Sequence, residues 1–459
     1  MKAIILGCTV FGASLAVADN PDPPVPLEAI VELLPGANID NFHSRYNTST
    51  IAAIPNRSIY HIQLPSQWTE QFIDQLAFSD PEVLEADLNY ATDDPGGDTR
   101  SFYGARSTGE YHEQVQASAM RISEAHVLST GSGVVVAVLD TGLDANHPEF
   151  SPGSTVPGLN CFTDTGDTSD VSGDGDTNGN GIPNEMVGHG TFVSGIIRLV
   201  APDAQIMPIK VLDSDGQSTS FLVAKGIYHA IDQQVDVINL SLGTSADSDI
   251  LKSAIREARY HWISIVAAAG NDGNDLNVPM FPAAYGNNRP VAVAATRWNG
   301  IMTSFSSYGP HITICSPGDD VVSTFPGGGF QAAEGTSFST AWVTGAMALL
   351  QTIGWDSDPD HLARIIRDTG VDISIINPGY DPNELGGGLL DIKAALDEKI
   401  ANPGCAADVN DDGILDPSDY SAWLLAFNTG DFVADQNKDK QLSPADFAAW
   451  IGNYSAGCL

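Results

Sequence analysis

Long apolar runs alternate with amphipathic stretches through the middle of the chain. Four runs are continuously apolar, as in strands buried on both faces of a parallel sheet: Val134–Leu139, Ile206–Leu212, Val235–Leu240 and Val291–Ala295. Phe221–Gln233 and Ile250–His261 have helical spacing, and Ala341–Ile353 is apolar nearly all round, which predicts a central buried helix. The alternation predicts an α/β fold with a doubly wound, mainly parallel sheet over residues 113–400.

The pattern is different over residues 19–92, which read as a small separate α/β domain. Strands are predicted at Glu28–Leu34, Ser58–Leu64 and Val83–Tyr90, and helices at Ile39–Tyr46 and Thr69–Leu76. Residues 93–112 begin with a polar, Gly- and Asp-rich run, which predicts a flexible linker. A further change after residue 404 marks a small C-terminal module over residues 405–459.

The first 18 residues have the pattern of a secretory signal peptide. Lys2 precedes the apolar stretch Ala3–Val17, and Ala16, Val17 and Ala18 provide a small-x-small cleavage pattern. No other segment approaches the length of about 20 apolar residues that a membrane span needs. The sequence therefore predicts an exported protein, secreted or held at the cell surface.

The net charge limits the kinds of partner that the protein could bind, and the cysteines indicate which disulfides could form. With 58 acidic and 20 basic residues, the formal net charge is −38, which argues against a nucleic-acid partner. Such a surface suits salty or calcium-containing surroundings, or simply enhances solubility. Cys405 and Cys458 bracket the C-terminal module as a candidate disulfide, whereas Cys161 and Cys315 could pair or remain buried thiols.

Three glycine-rich segments far apart in the chain carry an aspartate, a histidine and a serine. They are Val134–Gly142 (VVVAVLDTG), Gly188–Gly195 (GHGTFVSG) and Gly335–Gly345 (GTSFSTAWVTG), and Ala267–Gly273 (AAAGNDG) is a fourth related segment. Catalytic triads occur on unrelated folds, and each fold has its own order of the three residues along the chain. Here the order is Asp140, His189, Ser337. In this order and these settings, the chain resembles the subtilisin-like serine proteases, or subtilases.

The resemblance implies a role for each matching residue. Ser337 would be the nucleophile, His189 its general base, and Asp140 the group that orients the imidazole. Asn271 would bind the oxyanion together with the main-chain N–H of Ser337. The substrate backbone would pair with Ser241, Leu242 and Gly243 on one side and with Gly216 on the other.

The resemblance extends to the N-terminal domain in position more than in residues. Residues 19–92 look like the inhibitor-like prodomain of subtilases, an intramolecular inhibitor removed by cleavage within residues 93–112. The chain departs from the family after the nucleophile, where Ala341 and Trp342 replace the usual proline and histidine. Neither replaced residue carries the chemistry, so we expect activity to persist.

An acidic insertion, Asp164–Glu185, lies just before His189 and contains a calcium-loop pattern. Asp174, Asp176, Asn178, Gly179 and Glu185 match the pattern D-x-[DN]-x-[DN]-G-x5-E. The predicted ligands are Asp174, Asp176, Asn178, Asn180 and Glu185. Calcium prefers several oxygen ligands, and Gly179 permits the sharp turn. The alternative is a solvated acidic loop.

The C-terminal module repeats this pattern twice, and each copy is followed by an apolar helix. The predicted ligands are Asp408, Asn410, Asp412, Asp416 and Asp419 in the first copy, and Asp435, Asn437, Asp439 and Asp446 in the second. The second site is weaker because Lys440 replaces the glycine. The repeats resemble dockerin modules, which implies Ca²⁺ as a structural cofactor and a cohesin-like receptor as partner.

The sequence as a whole predicts a secreted serine endopeptidase, made as a zymogen, that cleaves protein or peptide substrates through an acyl-enzyme. One alternative is an inactive calcium-dependent binding protein on the same fold, although it would have no need of Asp140, His189, Ser337 and Asn271 together. A lipase or esterase of the α/β-hydrolase type is the other, but Ser337 lacks the G-x-S-x-G setting of that family.

Overall fold

The structure is a computed structural model, and it describes most of the chain. The described residues are 22–68, 70–93, 102–273, 277–286, 290–354, 357–402, 405–410, 414–429, 432–437 and 441–457. The predicted signal peptide, residues 1–18, lies outside them, as do the predicted calcium ligands Asp412 and Asp439.

The N-terminal domain is an antiparallel sheet with two helices. Its elements are β1 (Pro24–Leu33), α1 (Ile39–Tyr46), β2 (Ser49–Ala53), β3 (Ile59–Gln63), α2 (Glu70–Ser79) and β4 (Val83–Thr92). Side chains from the sheet and both helices, among them Val31, Phe42 and Leu76, form a small core of their own. The domain therefore has the order βαββαβ, with β2 as the strand that the sequence did not predict.

The strands after the N-terminal domain are β5 (Phe102–Arg106), β6 (Val135–Asp140), β7 (Leu159–Asn160), β8 (Gln205–Lys210), β9 (Ser218–Thr219), β10 (Val237–Leu240), β11 (Ser264–Ala268), β12 (Val291–Thr296), β13 (Ile314–Pro317), β14 (Val321–Phe325) and β15 (Gly329–Ala333). The central domain is built on a sheet of seven of these strands, all parallel, in the order β13-β12-β11-β10-β6-β8-β7. From β6 the chain builds the sheet outward in both directions. The strand order thus reverses next to β6, where α/β sheets expose functional groups at the carboxyl ends of strands.

Helices cover both faces of this sheet. They are α3 (Thr108–His112), α4 (Val115–Ala119), α5 (Ile122–Ala125), α6 (His189–Val200), α7 (Ser220–Asp232), α8 (Asp249–Tyr260), α9 (Thr336–Gln351), α10 (Pro359–Asp368) and α11 (Ile392–Ala401). Ala137 and Leu139 of β6 pack in the core under α7 and α8, whereas Val136 and Val138 pack in the core under α6 and α9. The continuous apolar runs of the sequence are explained by burial on both faces, and the predicted doubly wound fold is confirmed.

The segment after residue 101 has regular structure, unlike the flexible linker expected through residue 112. Strand β5 pairs antiparallel with β15, which itself pairs with β14 in a small separate sheet. Ser107 and Glu110 form a capping box at the start of α3, and Tyr111 is buried with its hydroxyl donating to Gly195 O at 2.8 Å. Residues 102–112 therefore belong structurally to the central domain.

The C-terminal module contains two similar units related by a shift of 27 residues, as from Trp423 to Trp450. Its helices are α12 (Pro417–Thr429) and α13 (Pro444–Ala456), each preceded by a loop. The indole of Trp423 donates to Ala434 O at 3.0 Å, and the indole of Trp450 donates to Ala407 O at 3.3 Å. Each helix is thus fixed to the loop of the other unit.

The cysteines differ in whether they form a disulfide. Cys405 is disulfide-bonded, and its expected partner Cys458 lies outside the described residues. Cys161 and Cys315 are free and buried, so they do not form a disulfide with each other. Burial raises the pKa of both thiols to about 12, which keeps them in the unreactive protonated form.

Within the part of the chain that the structure covers, no helix is long and apolar enough to cross a membrane.

Candidate active site

Asp140 and His189 meet where strand β6 ends and helix α6 begins. His189 Nδ1 lies 2.8 Å from Asp140 Oδ1, and both side chains are buried. Gly188 has a φ of 99°, a left-handed conformation that turns the chain into α6 and that glycine adopts without strain. Because an ionised carboxylate only accepts hydrogen bonds, Nδ1 carries the proton and Nε2 is left as the basic atom.

Ser337 is the second residue of α9, and its side chain is buried. Its Oγ donates to the carbonyl oxygen of Ser241 at 3.3 Å, and Ser241 Oγ donates to Ser337 O at 2.9 Å. The first N–H groups of a helix have no acceptor within that helix. The N–H of Ser337 is therefore available to an oxyanion, and the helix N-terminus favours negative charge there.

Asn271 is oriented by the residue that precedes Ser337. Its Oδ1 accepts hydrogen bonds from the N–H and from Oγ1 of Thr336, each at 2.9 Å. With the amide oxygen committed to Thr336, the Nδ2 group is the part of the side chain left to donate. Thr336 thus positions Asn271 as a donor beside Ser337, a role that the sequence analysis did not assign.

Asp170 is a further residue that the sequence analysis missed, and it joins the segments that carry Asp140 and His189. Its Oδ1 accepts from Thr141 Oγ1 at 3.1 Å and from Gly188 N at 2.9 Å. Its Oδ2 accepts from Thr191 N at 3.1 Å and from Thr191 Oγ1 at 2.6 Å. The pKa of Asp170 is raised because burial disfavours the charged carboxylate, and these hydrogen bonds offset part of that effect. No motif marks this aspartate in the sequence.

Aromatic rings cover the imidazole of His189. The ring of Phe338 lies 5.5 Å from it, and that of Phe102, at the start of β5, lies 6.3 Å from it, measured between ring centroids. Phe102 also contacts Phe192, Phe325 and Phe338, at 5.4 to 6.2 Å between centroids. The segment that the sequence assigned to the linker therefore contributes to the surroundings of the site.

A polypeptide strand from the N-terminal domain enters this site between two edges of the central domain. On one side, Ala91 and Thr92 pair antiparallel with Thr219 and Ser218 of β9. On the other side, the N–H of Asp93 donates to Gly243 O at 3.1 Å, and the N–H of Gly243 donates to Asp93 O at 3.0 Å. The main chain of this strand is thus recognised from both sides.

The predicted substrate-binding residues lie at these edges with different contacts. Gly243 pairs with the strand, Ser241 contacts Ser337, and Leu242 is fully buried in the core. Gly216 lies in the turn before β9, with its N–H donating to Asp213 O at 3.2 Å. The described pairs on this side are made by Ser218 and Thr219, which the sequence analysis did not name.

The acidic insertion brings some of its predicted calcium ligands together. Asn178 and Asn180 both donate through their side-chain amides to Glu185 Oε1, at 2.8 and 2.5 Å. Glu185 is 8% exposed, and its Oε2 is buried without a hydrogen-bond partner among the described residues. Asp174 and Asp176 instead accept main-chain N–H groups, from Ser214 at 2.8 Å and Gly181 at 3.0 Å.

The two loops of the C-terminal module close on equivalent buried aspartates. Asp419 accepts from the N–H groups of Asn410 and Asp416, at 3.5 and 2.8 Å, and Asp446 accepts from those of Asn437 and Ser443, at 3.4 and 2.7 Å. Both are fully buried, and Asp435 is 5% exposed. Among the described residues, no three His, Cys, Asp or Glu side chains are grouped so that they could hold a metal ion.

Comparison with known proteins identifies the family. The model of the Subtilase family matches residues 131–388, which is more than half of the chain. The chain belongs to the subtilase family. This subtilase is 35% identical over 282 residues to an intracellular serine protease of Paenibacillus polymyxa, a match covering 58% of this chain and 80% of that protein. It is also 35% identical to thermitase of Thermoactinomyces vulgaris, over 58% of this chain and 87% of thermitase.

The fold of this subtilase is also that of a solved relative. Fervidolysin from Fervidobacterium pennivorans, a keratinolytic enzyme related to subtilisin, superposes with a TM-score of 0.67 and 24% identity. The match covers 82% of this chain and 61% of that of fervidolysin. With its family and fold established, this subtilase is a serine-type endopeptidase, and the predicted class of enzyme is confirmed.

Proposed function

We propose that Asp140, His189 and Ser337 form the catalytic triad of this subtilase, and that Asn271 completes its oxyanion hole. The contact of 2.8 Å between Asp140 Oδ1 and His189 Nδ1 carries the proposal, because it leaves Nε2 basic next to the helix that bears Ser337. The orientation of Asn271 by Thr336 supports its role as a donor.

Hydrolysis then proceeds in two steps through an acyl-enzyme. Ser337 Oγ attacks the scissile carbonyl carbon while His189 Nε2 takes the hydroxyl proton, and the oxyanion receives hydrogen bonds from Asn271 Nδ2 and the N–H of Ser337. His189 then protonates the leaving amine. In the second step His189 takes a proton from water as the water oxygen attacks the acyl carbon. The bond between that carbon and Ser337 Oγ then breaks, His189 returns the proton to Oγ, and the acid product leaves.

The N-terminal domain acts as an intramolecular inhibitor in this proposal, so the chain is made as a zymogen. Its last strand occupies both edges of the site, as a substrate backbone would. Phe102 packs against His189, so we place the activating cleavage between Asp93 and Phe102, within the segment that lies outside the described residues. A zymogen of this kind agrees with export directed by residues 1–18.

Calcium would serve as a structural cofactor at two places. In the acidic insertion, Glu185 offers a buried carboxylate oxygen without a partner among the described residues, near the side chains of Asn178 and Asn180. In the C-terminal module, the buried Asp419 and Asp446 face their loops. A bound cation would cross-link these oxygens and stabilise the loops. The module would then present a calcium-stabilised surface to a cohesin-like receptor.

Casein hydrolysis by the purified full-length chain, with calcium present, tests the proposed catalysis. We expect wild type to be active, and the activity of the Ser337→Ala variant to be lower by about 10⁶-fold, because only substrate binding and the oxyanion hole remain. The same variant should keep its N-terminal domain attached, because its removal needs Ser337. A wild type without activity, whose N-terminal domain mass spectrometry finds removed, would favour the inactive binding protein instead.

A further inference from the structure

The acidic insertion wraps around residues 213–219, which we call the edge segment. The insertion makes hydrogen bonds to this segment from both of its halves. Ser214 accepts a hydrogen bond from Asp174 N at 3.1 Å and returns one from its own N–H to Asp174 Oδ2 at 2.8 Å. The hydroxyl of Ser214 also donates to Asn184 Oδ1 at 2.7 Å.

Asp215 is the centre of this contact. Its Oδ2 accepts from the N–H groups of Thr177 and Asn178, at 2.7 and 3.1 Å, and its Oδ1 accepts from Glu185 N at 3.3 Å. Only 1% of its surface is exposed. A carboxylate removed from water in this way is stabilised by the N–H groups that surround it, so the insertion and Asp215 hold each other in place.

The edge segment leads directly into one wall of the active-site cleft. Ser218 and Thr219 form β9, the short strand that pairs with the polypeptide from the N-terminal domain. Gly243, which forms the opposite edge, lies three residues after the end of β10, a strand of the central sheet that pairs with β6 and β11. The wall at β9 has a different support, because the turn before it is bonded to the acidic insertion.

We propose that the acidic insertion is a substrate-affinity element, which positions the edge segment and thereby sets how strongly the enzyme binds extended peptides. Asp215 and Asn184 act as positioning residues, since they contact the insertion and the edge rather than the substrate. Residues of a substrate far from the scissile bond pair with β9. The residue next to the scissile bond lies at Ser337 and does not need this edge.

Two substrates of different length separate this effect from general loss of activity. A tetrapeptide p-nitroanilide extends along β9, whereas N-acetyl-tyrosine ethyl ester offers only the residue beside the scissile bond. In the enzyme obtained from the full-length chain, the Asp215→Ala variant should lower the ratio of kcat/KM for the anilide to that for the ester about tenfold. The ester alone should be hydrolysed within about twofold of the wild-type rate.

Further variants provide the controls. Asp167→Ala makes the same change at an exposed aspartate of the insertion that bonds to Ser169 and not to the edge segment, and it should leave the ratio unchanged. Asn184→Gly is a milder variant in case Asp215→Ala does not fold. It removes the bond to Ser214 Oγ together with two bonds from main-chain N–H groups of the insertion, at Gly173 and Gly175. Glycine also suits the φ of 56° at this position. Its ratio should fall by about threefold.

Hydrogen–deuterium exchange provides a second measurement that needs no activity. Amides of residues 213–219 should exchange faster in both edge variants than in wild type. An unchanged ratio, or equal losses for both substrates, would overturn the inference. The inference rests on the proposed hydrolysis at Ser337. A wild type that cleaves neither substrate would contradict that hydrolysis. The exchange rates of the variants would then test the role of the insertion without any measurement of activity.

Discussion

Asp170 joins the segments that carry Asp140 and His189, two residues of the proposed triad that are 49 positions apart in the chain. It bonds to Thr141, directly after Asp140, and to Gly188 and Thr191, on either side of His189. Only 2% of its surface is exposed, so its negative charge lies in a medium where electrostatic interactions are strong. The residue therefore affects both the geometry and the charge of the site.

Substitution of Asp170 by asparagine should lower kcat by about 10- to 100-fold with little change in KM. An amide has one acceptor oxygen, so its NH2 group would face donors at either Gly188 or Thr191, and a buried donor would be left unpaired. Loss of the negative charge should also disfavour the imidazolium of His189. The acidic limb of the kcat/KM profile should therefore move to lower pH, as a pH series would measure.

Asp167→Asn is the matched control, because this exposed carboxylate three residues earlier bonds only within its own loop, to Ser169. It should leave kcat and the pH profile unchanged. If Asp170→Asn lowered the unfolding temperature but kept both kcat and the acidic limb of wild type, the positioning role would be disproved.

Strand β4 shows how an element of the N-terminal domain holds the central domain. Asp87 accepts hydrogen bonds from Ser248 Oγ at 2.8 Å and Asp249 N at 2.9 Å, so it caps the start of α8. Two residues earlier, Glu85 accepts from Ser253 Oγ at 2.9 Å. Burial, together with repulsion from Glu32 and Asp249, raises the pKa of Glu85 to about 7.

Release of the N-terminal domain after cleavage should become faster as the pH rises from 5 to 7.5. Release exposes Glu85 to water and removes the repulsion from Asp249, which lowers its pKa toward the ordinary value of 4.5. The contact is therefore fully stable below that ordinary value and weakens as the pH rises through about 7. Affinity should fall by up to about tenfold per pH unit in this window. The rate at which activity appears in cleaved protein measures the release.

Glu85→Gln keeps the shape of this side chain but cannot ionise. In this variant, release at pH 7.5 should be as slow as at pH 5, apart from the contributions of other groups such as Asp87. A variant with the same steep pH dependence as wild type would show that Glu85 does not govern the release.

The elements of the central domain could be predicted wherever one segment carries its own pattern. Strand β6 was expected at Val134–Leu139 and runs over Val135–Asp140, because burial on both faces makes it continuously apolar. Strands β5 and β9 could not be predicted from the sequence. Phe102–Arg106 has no alternating pattern because it is an edge strand on a small sheet, and Ser218–Thr219 is a strand only through its partner.

The same distinction applies to the candidate site. Ser337, His189 and Asp140 could be found because each requires its own glycine-rich turn, which leaves a local motif. Asp170, Thr336 and Asp215 act through hydrogen bonds to residues brought near by the fold. Their neighbours in the sequence carry no trace of these contacts, so only the structure identifies them.

On the scale of the whole molecule, the hydrophobic cores differ greatly in size from one domain to the next. The central domain has extensive cores on both faces of its sheet, whereas the C-terminal module has few buried apolar side chains, mainly Trp423, Ala426 and Trp450. A hydrophobic core of this size contributes only a few kcal/mol, about 3–5, to the free energy of unfolding. Additional cross-links, such as the disulfide at Cys405 and the proposed calcium, would then provide the missing stability.

Removal of calcium by EDTA should therefore destabilise the C-terminal module, so that it unfolds on heating while the central domain remains folded. Calorimetry should resolve two transitions with calcium, and EDTA should lower the module transition by more than about 10 °C. Trp423 and Trp450 would report the same event by fluorescence. Asp419→Ala should reproduce this loss with calcium present, and an EDTA-treated module that melted as before would contradict the structural role of calcium.

The reciprocal hydrogen bonds of Trp423 and Trp450 also limit how this module can evolve. Each indole completes a loop that belongs to the other copy, so neither copy is a self-sufficient unit despite the repeated sequence. A deletion of 27 residues would restore one continuous copy but would leave its loop and its helix without the partners they need. The duplication has therefore become irreversible: the two halves can diverge in their surfaces, but neither can be discarded.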